Sequence, residues 1–366
     1  MIVRTFGISL IVTVLALVVA FFYGGWQGLF VAAVLGVLEV SLSFDNAVIN
    51  ATILERMSRF WQQMFLTVGV LIAVFGMRLI FPLAIVWVTA GLNPAEAFRL
   101  ATNPPADGAA TFPDGSPSYE TILTDAHPQI AAFGGVFLLM LFLNFVLTQR
   151  HTVWLTWLER PLGAAGRLDQ LSVVLTSITL LLVAVTLSDR TVTTTVLIAG
   201  LLGMITFIVI DGASSLFHPT DDPGTGATVK AAGKAGLLLF LYLEVLDATF
   251  SFDGVIGAFA ITSDPILIAL GLGFIGAMFV RSITIFLVRQ GTLSQYRYLE
   301  HGAHWAIGAL ALILLLSIHV HVNEVLTGLV GVAFIGAALI SSITANRRDR
   351  RLGADETAGD QSVVGS

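Results

Sequence analysis

Two octapeptides hold the residues best equipped to do chemistry in an otherwise very apolar chain. They are Leu38-Glu39-Val40-Ser41-Leu42-Ser43-Phe44-Asp45 and Leu246-Asp247-Ala248-Thr249-Phe250-Ser251-Phe252-Asp253, identical at four of eight positions and conservatively matched at the others. Each copy supplies two carboxylates and a serine hydroxyl. Asn46 follows the first copy, whereas Gly254 stands at the equivalent place in the second, which therefore lacks one amide donor. Oxygen-only donors of this kind suit a hard divalent ion such as Mn²⁺, Mg²⁺ or Ca²⁺. The chain has no cysteine, which removes thiolate metal sites, disulfides and cysteine nucleophiles.

Spacing restricts how these donors meet. At about 100° per residue, Glu39, Ser43 and Asn46 share one helix face, as do Glu244, Asp247 and Ser251. Asp45 and Asp253 are offset by about 120° from Glu39 and Asp247. Either the acids face different partners, or the helix unwinds near Ser-Phe-Asp and adds free carbonyl oxygens, a break that Gly254 and Gly257 would permit. An ionisable group at a bilayer centre costs about 2.5–3.5 kcal/mol, so Glu39, Asp45, Asp247 and Asp253 together cost on the order of 10 kcal/mol without partners or water.

Arg78 and Arg281 follow the two acidic copies by 33 and 28 residues and offer the competing structural explanation, buried ion pairs. Two arginines cannot neutralise four carboxylates, which favours a cation site with Ser43 and Ser251 as secondary oxygen donors. Asp211 is a further candidate that equally suits an interfacial position. Asn144 could be a ligand or make an interhelical hydrogen bond. His301 and His304 share a helix face and read as interfacial polar residues, and Trp154 and Trp157 as part of an aromatic belt. Gly271-Leu272-Gly273-Phe274-Ile275-Gly276 lies inside an apolar stretch, so its glycines point to close helix packing rather than a nucleotide loop. No HExxH, Walker or G-x-S-x-G element is present, and no enzyme is expected.

The elements that must position these residues follow from hydropathy. Hydrophobic residues make up 56% of the 366 and charged residues only 11%; a soluble surface needs roughly 25% charged residues. Apolar blocks of bilayer-spanning length predict ten transmembrane helices, near 5–23, 28–51, 63–90, 130–148, 171–188, 193–215, 234–261, 265–289, 302–319 and 323–345. The first reads as a retained helix rather than a signal peptide. Of the 18 Lys and Arg, two lie within spans, and 14 of the other 16 fall on one side when the N-terminus is placed inside. That bias predicts cytoplasmic N- and C-termini. Residues 91–129 read as a solvated outer loop and 346–366 as a disordered cytoplasmic tail. The duplication five helices apart predicts an all-α integral membrane protein of two inverted repeats, 1–190 and 191–345. The net charge of −6 gives no basic face for nucleic acid.

Glu39 through Asp45-Asn46, Arg78, the stretch Phe133-Gly134-Gly135-Val136-Phe137-Leu138 and the acidic copy from Asp247 to Asp253 together resemble the TerC family of membrane proteins. The resemblance covers about 28–345 and implies a place in the lysine-exporter-like transporter superfamily, several TerC-type members of which are associated with manganese export. It carries Glu39, Asp45 and Asn46 over to the family's first acidic motif, and Asp247 and Asp253 to its second. The expectation is a secondary transporter in the cytoplasmic membrane, with the lipid bilayer around it and a divalent cation, above all Mn²⁺, as cargo rather than cofactor. Protons are the expected counter-ion. The alternatives are an exporter of an amino acid or small organic cation, or a membrane stress-complex scaffold working through the outer loop.

Overall fold

Inside a hydrocarbon layer backbone polar groups must bond within their own segment or a closed barrel. The computed structural model takes the first solution: it is helical, with no sheet among the described residues. Those residues are 2–105, 109–150, 152–168, 170–188, 190–216, 231–258, 261–262, 264–290, 296–320, 322 and 324–364.

Helix α1 (Ile2–Leu42) is interrupted at Gly24 (φ −125°, ψ 17°) and Gly25 (φ 62°, ψ −151°). The Gly25 conformation is essentially closed to side-chain-bearing residues. A Cβ on Gly28 would stand 2.6 Å from the Ala20 carbonyl oxygen, whereas residues eight apart on a straight helix are about 12 Å apart. The two legs therefore fold back on each other, burying Ala16, Ala20 and Ala32 against Leu267, Leu270 and Ile275. They correspond to the segments expected at 5–23 and 28–51, the second leg continuing into α2 (Phe44–Leu54).

The segment expected at 63–90 is built from α3 (Arg59–Met64), two π-helical stretches (Phe65–Gly69 and Ile72–Ile80) and α4 (Phe81–Thr89), with a 41° bend. Residues 91–129 are not an irregular loop. They hold α5 (Pro94–Thr102), opened by a capping box between Asn93 and Glu96, and α6 (Tyr119–Asp125), capped by Ser118. Ala97, Ala101, Tyr119, Ile122 and Leu123 bury against Leu35, Val86 and Val255, so this segment closes over one end of the bundle.

Next come α7 (His127–Val146), α8 (Thr156–Ala165), α9 (Leu171–Thr186), α10 (Thr193–Leu216) and α11 (Gly233–Ala258). Helix α12 (Pro265–Ile268) passes through a third π-helical stretch (Ala269–Ala277) into α13 (Met278–Gln290). Helices α14 (Leu299–Ser317) and α15 (Glu324–Val364) complete the chain. Helix α15 runs past 345 into the stretch expected to be disordered, by way of Arg347, Arg348, Arg350, Arg351 and Leu352, residue types with good helix propensity.

Six of these helices are long and apolar enough to cross a membrane, or seven when the bent pair Arg59–Gly69 and Ile72–Val88 is one span. Ile11, Phe22, Trp26, Phe30, Val88 and Val185 point large apolar side chains outward, a surface suited to lipid rather than water. The chain is thus a multi-pass helical membrane protein. Its main core lies where α2, α7, α11 and α14 pack, around Leu54, Phe137, Met140, Leu243 and Leu246.

Candidate functional site

Glu39 lies on the second leg of α1 and is buried. Arg78 Nη2 forms an ion pair with its Oε1, and Ser43 Oγ, one turn on, donates to the same oxygen at 2.8 Å. For this arginine the structural explanation therefore holds. Ser43 occupies the junction of α1 and α2 (φ −93°, ψ 15°). The junction does not unwind: Ser43 N–H reaches the Glu39 carbonyl at 2.9 Å and Ala47 N–H reaches the Ser43 carbonyl at 3.1 Å. Those two carbonyls are thus committed to the helix. Helix α11 likewise runs unbroken through Gly254 and Gly257.

Arg78 comes from the π-helical Ile72–Ile80, and its Nη1 donates to the Ala73 carbonyl at 2.8 Å. The glycines around Glu39 explain how an acid fits there. A Cβ on Gly276 would overlap Glu39 Cγ, and one on Gly254 would stand 3.0 Å from Glu39 Oε2. Gly254, which replaces the asparagine of the first copy, thus leaves space for the second oxygen of Glu39. Gly271 packs against Leu35 and Ala32 on the same leg, so the G-x-G-x-x-G stretch serves close helix approach.

On α11, Asp247 Oδ1 accepts from Asn46 Nδ2 at 3.1 Å, and its Oδ2 accepts from Ser251 Oγ at 3.4 Å. Asp247 is buried and within electrostatic reach of both Arg78 and Glu39. Glu39, Ser43, Asn46, Arg78, Asp247 and Ser251 thus form one buried polar cluster, joined across the two acidic copies by the Asn46–Asp247 bond. Asp45 and Asp253 lie on α2 and α11, but their side chains fall outside the described residues. Glu244 is buried one turn before Asp247, beside Gly69.

Arg281, on α13, donates from Nε to the Leu66 carbonyl at 2.6 Å, within the π-helical Phe65–Gly69. Asn144 and Asp211 are exposed and line a different cleft of about 520 Å³, beside Arg167, Gln170 and Ser172. Among the described residues no group of three or more His, Asp or Glu could hold a metal ion.

Another buried acid, away from this cluster, carries no sequence signature. Glu159 on α8 accepts from Trp305 Nε1 (2.9 Å) and from the Trp154 backbone N–H (3.0 Å), with His301 Nδ1 2.9 Å away. Burial alone pushes this carboxyl up; the contacts with His301, Trp305 and Trp154 outweigh it and hold the group at about 2. Trp154 and His301, which read as interfacial residues, are thus tied to a structural acid. His304 stacks on Phe145 with ring centroids 3.6 Å apart, and the Arg150 guanidinium lies 3.9 Å from the same ring. A lone glutamate in a polar connection has no spacing or hydropathy signal that marks it.

No curated protein matches this chain. No solved structure matches it either. A family described as "Protein of unknown function (DUF475)" matches residues 44–349, which take in Asn46, Arg78 and the whole second acidic copy while beginning just after Glu39. With that match running over most of its length, the chain belongs to the DUF475 family.

Proposed function

We propose that this protein is a secondary transporter that exports a divalent cation, Mn²⁺ foremost, across the cytoplasmic membrane in exchange for protons. The observation that carries the reading is the Asn46–Asp247 bond, which draws the two acidic copies together beside Glu39 in the protein interior. In this reading the cation binds between the copies, with Asp247, Glu39 and Asn46 as ligands. Asp45 and Asp253 complete the site, and Ser43 and Ser251 are secondary donors. Arg78 supplies the resident counter-charge for Glu39, which an arriving cation displaces. Carboxylates left close together after release favour protonation, which suits proton exchange.

The reading includes ten spans in two inverted halves, with both termini cytoplasmic. Two features support it. Asn46 meets Asp247 while Met57 pairs with Ala231, so α2, which continues from the first copy, and α11, which carries the second, run antiparallel. A π-helical stretch also occurs in both segments that carry the arginines. The choice of manganese rests on the resemblance to the TerC family, while the oxygen-only donor set supports a hard cation. The scaffold alternative draws less support, because Ala97, Ala101, Tyr119, Ile122 and Leu123 of the outer segment bury against its own bundle.

Efflux of Mn²⁺ from loaded proteoliposomes tests the proposal. The intact protein is expected to release Mn²⁺, and Asp247→Asn and Asp45→Asn to slow release by roughly tenfold or more, as loss of a principal charged ligand implies. Equal rates would remove these acids from the mechanism. Inhibition by lysine with indifference to Mn²⁺ would favour the organic-cation reading.

A further inference from the structure

Among the described residues, two buried oxygens near the acidic cluster, Asn50 Oδ1 and Glu244 Oε1, have no hydrogen-bond partner. Asn50 is 2% exposed and Glu244 7% exposed. Orphaned buried polar atoms are uncommon and each costs about 1–3 kcal/mol, so a pair of them calls for a physical reason.

The helix register sets them at one level along the axis. Helices α2 and α11 run antiparallel, with Asn46 bonded to Asp247 at one level and Met57 bridging Ala231 at the other. Asn50 is four residues beyond Asn46 on the same face, about 6 Å along the axis. Glu244 is three residues before Asp247 on the same face, about 4.5 Å along the opposite course. Both displacements point toward the Met57–Ala231 end, so the two side chains share one level, about one turn from the Asn46–Asp247 bond. Gly69 borders this level; a Cβ there would stand 2.8 Å from Glu244 Oε1.

We infer that Asn50 and Glu244 form a second cation station, one turn toward the cytoplasm from Asp247, where the divalent ion rests before reaching the acidic cluster. This rests on the transporter reading above. Its two donors are an amide oxygen and one carboxylate, both hard oxygen ligands and fewer than the main site offers. The station therefore binds more weakly than the main site, as a point of entry must if the ion is to move on.

Equilibrium dialysis of the purified full-length protein against Mn²⁺ tests this. Two equivalents are expected, the weaker lost in Asn50→Ala and in Glu244→Gln, the tighter lost in Asp247→Asn. Asn50→Asp adds a charge without changing size and is expected to tighten the weaker equivalent about tenfold, a change of 1.4 kcal/mol. It decides the matter should Glu244→Gln fail to fold. One equivalent, lost only in Asp247→Asn, overturns the station and leaves the transporter reading standing. Two equivalents that Asn50→Ala, Asn50→Asp and Glu244→Gln all leave unchanged also overturn it. No bound Mn²⁺ in the intact protein overturns both.

Discussion

Glu39 is tolerated in the interior because Arg78 and Ser43 both bond to its carboxylate. Removing one partner of a buried pair leaves a bare charge, so Arg78→Gln is expected to cost about 3–5 kcal/mol of stability. The Glu39→Gln/Arg78→Gln double variant leaves no buried charge at this pair and is expected to recover most of that loss. Denaturant unfolding in detergent measures both. At Glu159 the test is pH. Its folded pKa of about 2 lies below the ordinary 4.5, so its stabilisation is present above 4.5 and fades as pH falls toward 2. The melting-temperature gap between the intact protein and Glu159→Gln is therefore expected to be widest near neutrality and to close across that acid window. Glu39, Arg78 and Asp247 were legible in the sequence because charges are scarce within apolar blocks. The roles of Gly254 and Gly276 were not, since each depends on how closely a neighbouring helix approaches. Glu159 stayed hidden because an acid in a polar connection is the ordinary case.

Helices supply the geometry these residues need, and their irregularities matter more than their lengths. The turn at Gly24–Gly25 is what makes α1 a hairpin. Gly28 sits against Ala20, and Ala16 and Ala32 lie equally far from the turn in the same buried cluster. The native chain has no cysteine, so an introduced pair is an unambiguous probe. Ala16→Cys/Ala32→Cys is expected to form a disulfide under mild oxidation, detected by mass spectrometry of the linked peptides. Adding Gly28→Leu, which would drive a side chain into the Ala20 carbonyl, is expected to abolish the link; a straight α1 would show no link in either protein. Hydropathy marked these apolar legs because burial in lipid leaves a composition signal. It did not mark the π-helical stretches, which differ from α-helix only in hydrogen-bond register. Nor did it mark α5 and α6, which are only nine and seven residues long and whose apolar residues are interrupted by Glu, Arg and Thr.

At the scale of the molecule, the two-fold plan stands or falls on whether α9 and α11 cross the bilayer. Helix α9 has 16 residues, about 24 Å of helix against a hydrocarbon core of about 30 Å. Helix α11 is longer but carries Lys234, Glu244, Asp247 and Asp253. Neither is among the helices long and apolar enough to cross, yet the inverted arrangement requires both. Single cysteines probed with a membrane-impermeant maleimide on intact cells separate the cases. Ser116→Cys and Thr152→Cys flank α7, so the first is expected to label and the second to stay protected until the membrane is opened. This pair fixes sidedness. Thr191→Cys follows α9 and Ala232→Cys precedes α11, and all four positions are exposed. If α9 and α11 cross, Thr191→Cys labels from outside and Ala232→Cys does not. If neither crosses, the two exchange behaviour. The acids then lose the antiparallel spanning helices that would carry them to the middle of the membrane, and with them the water-accessible midplane site that export requires.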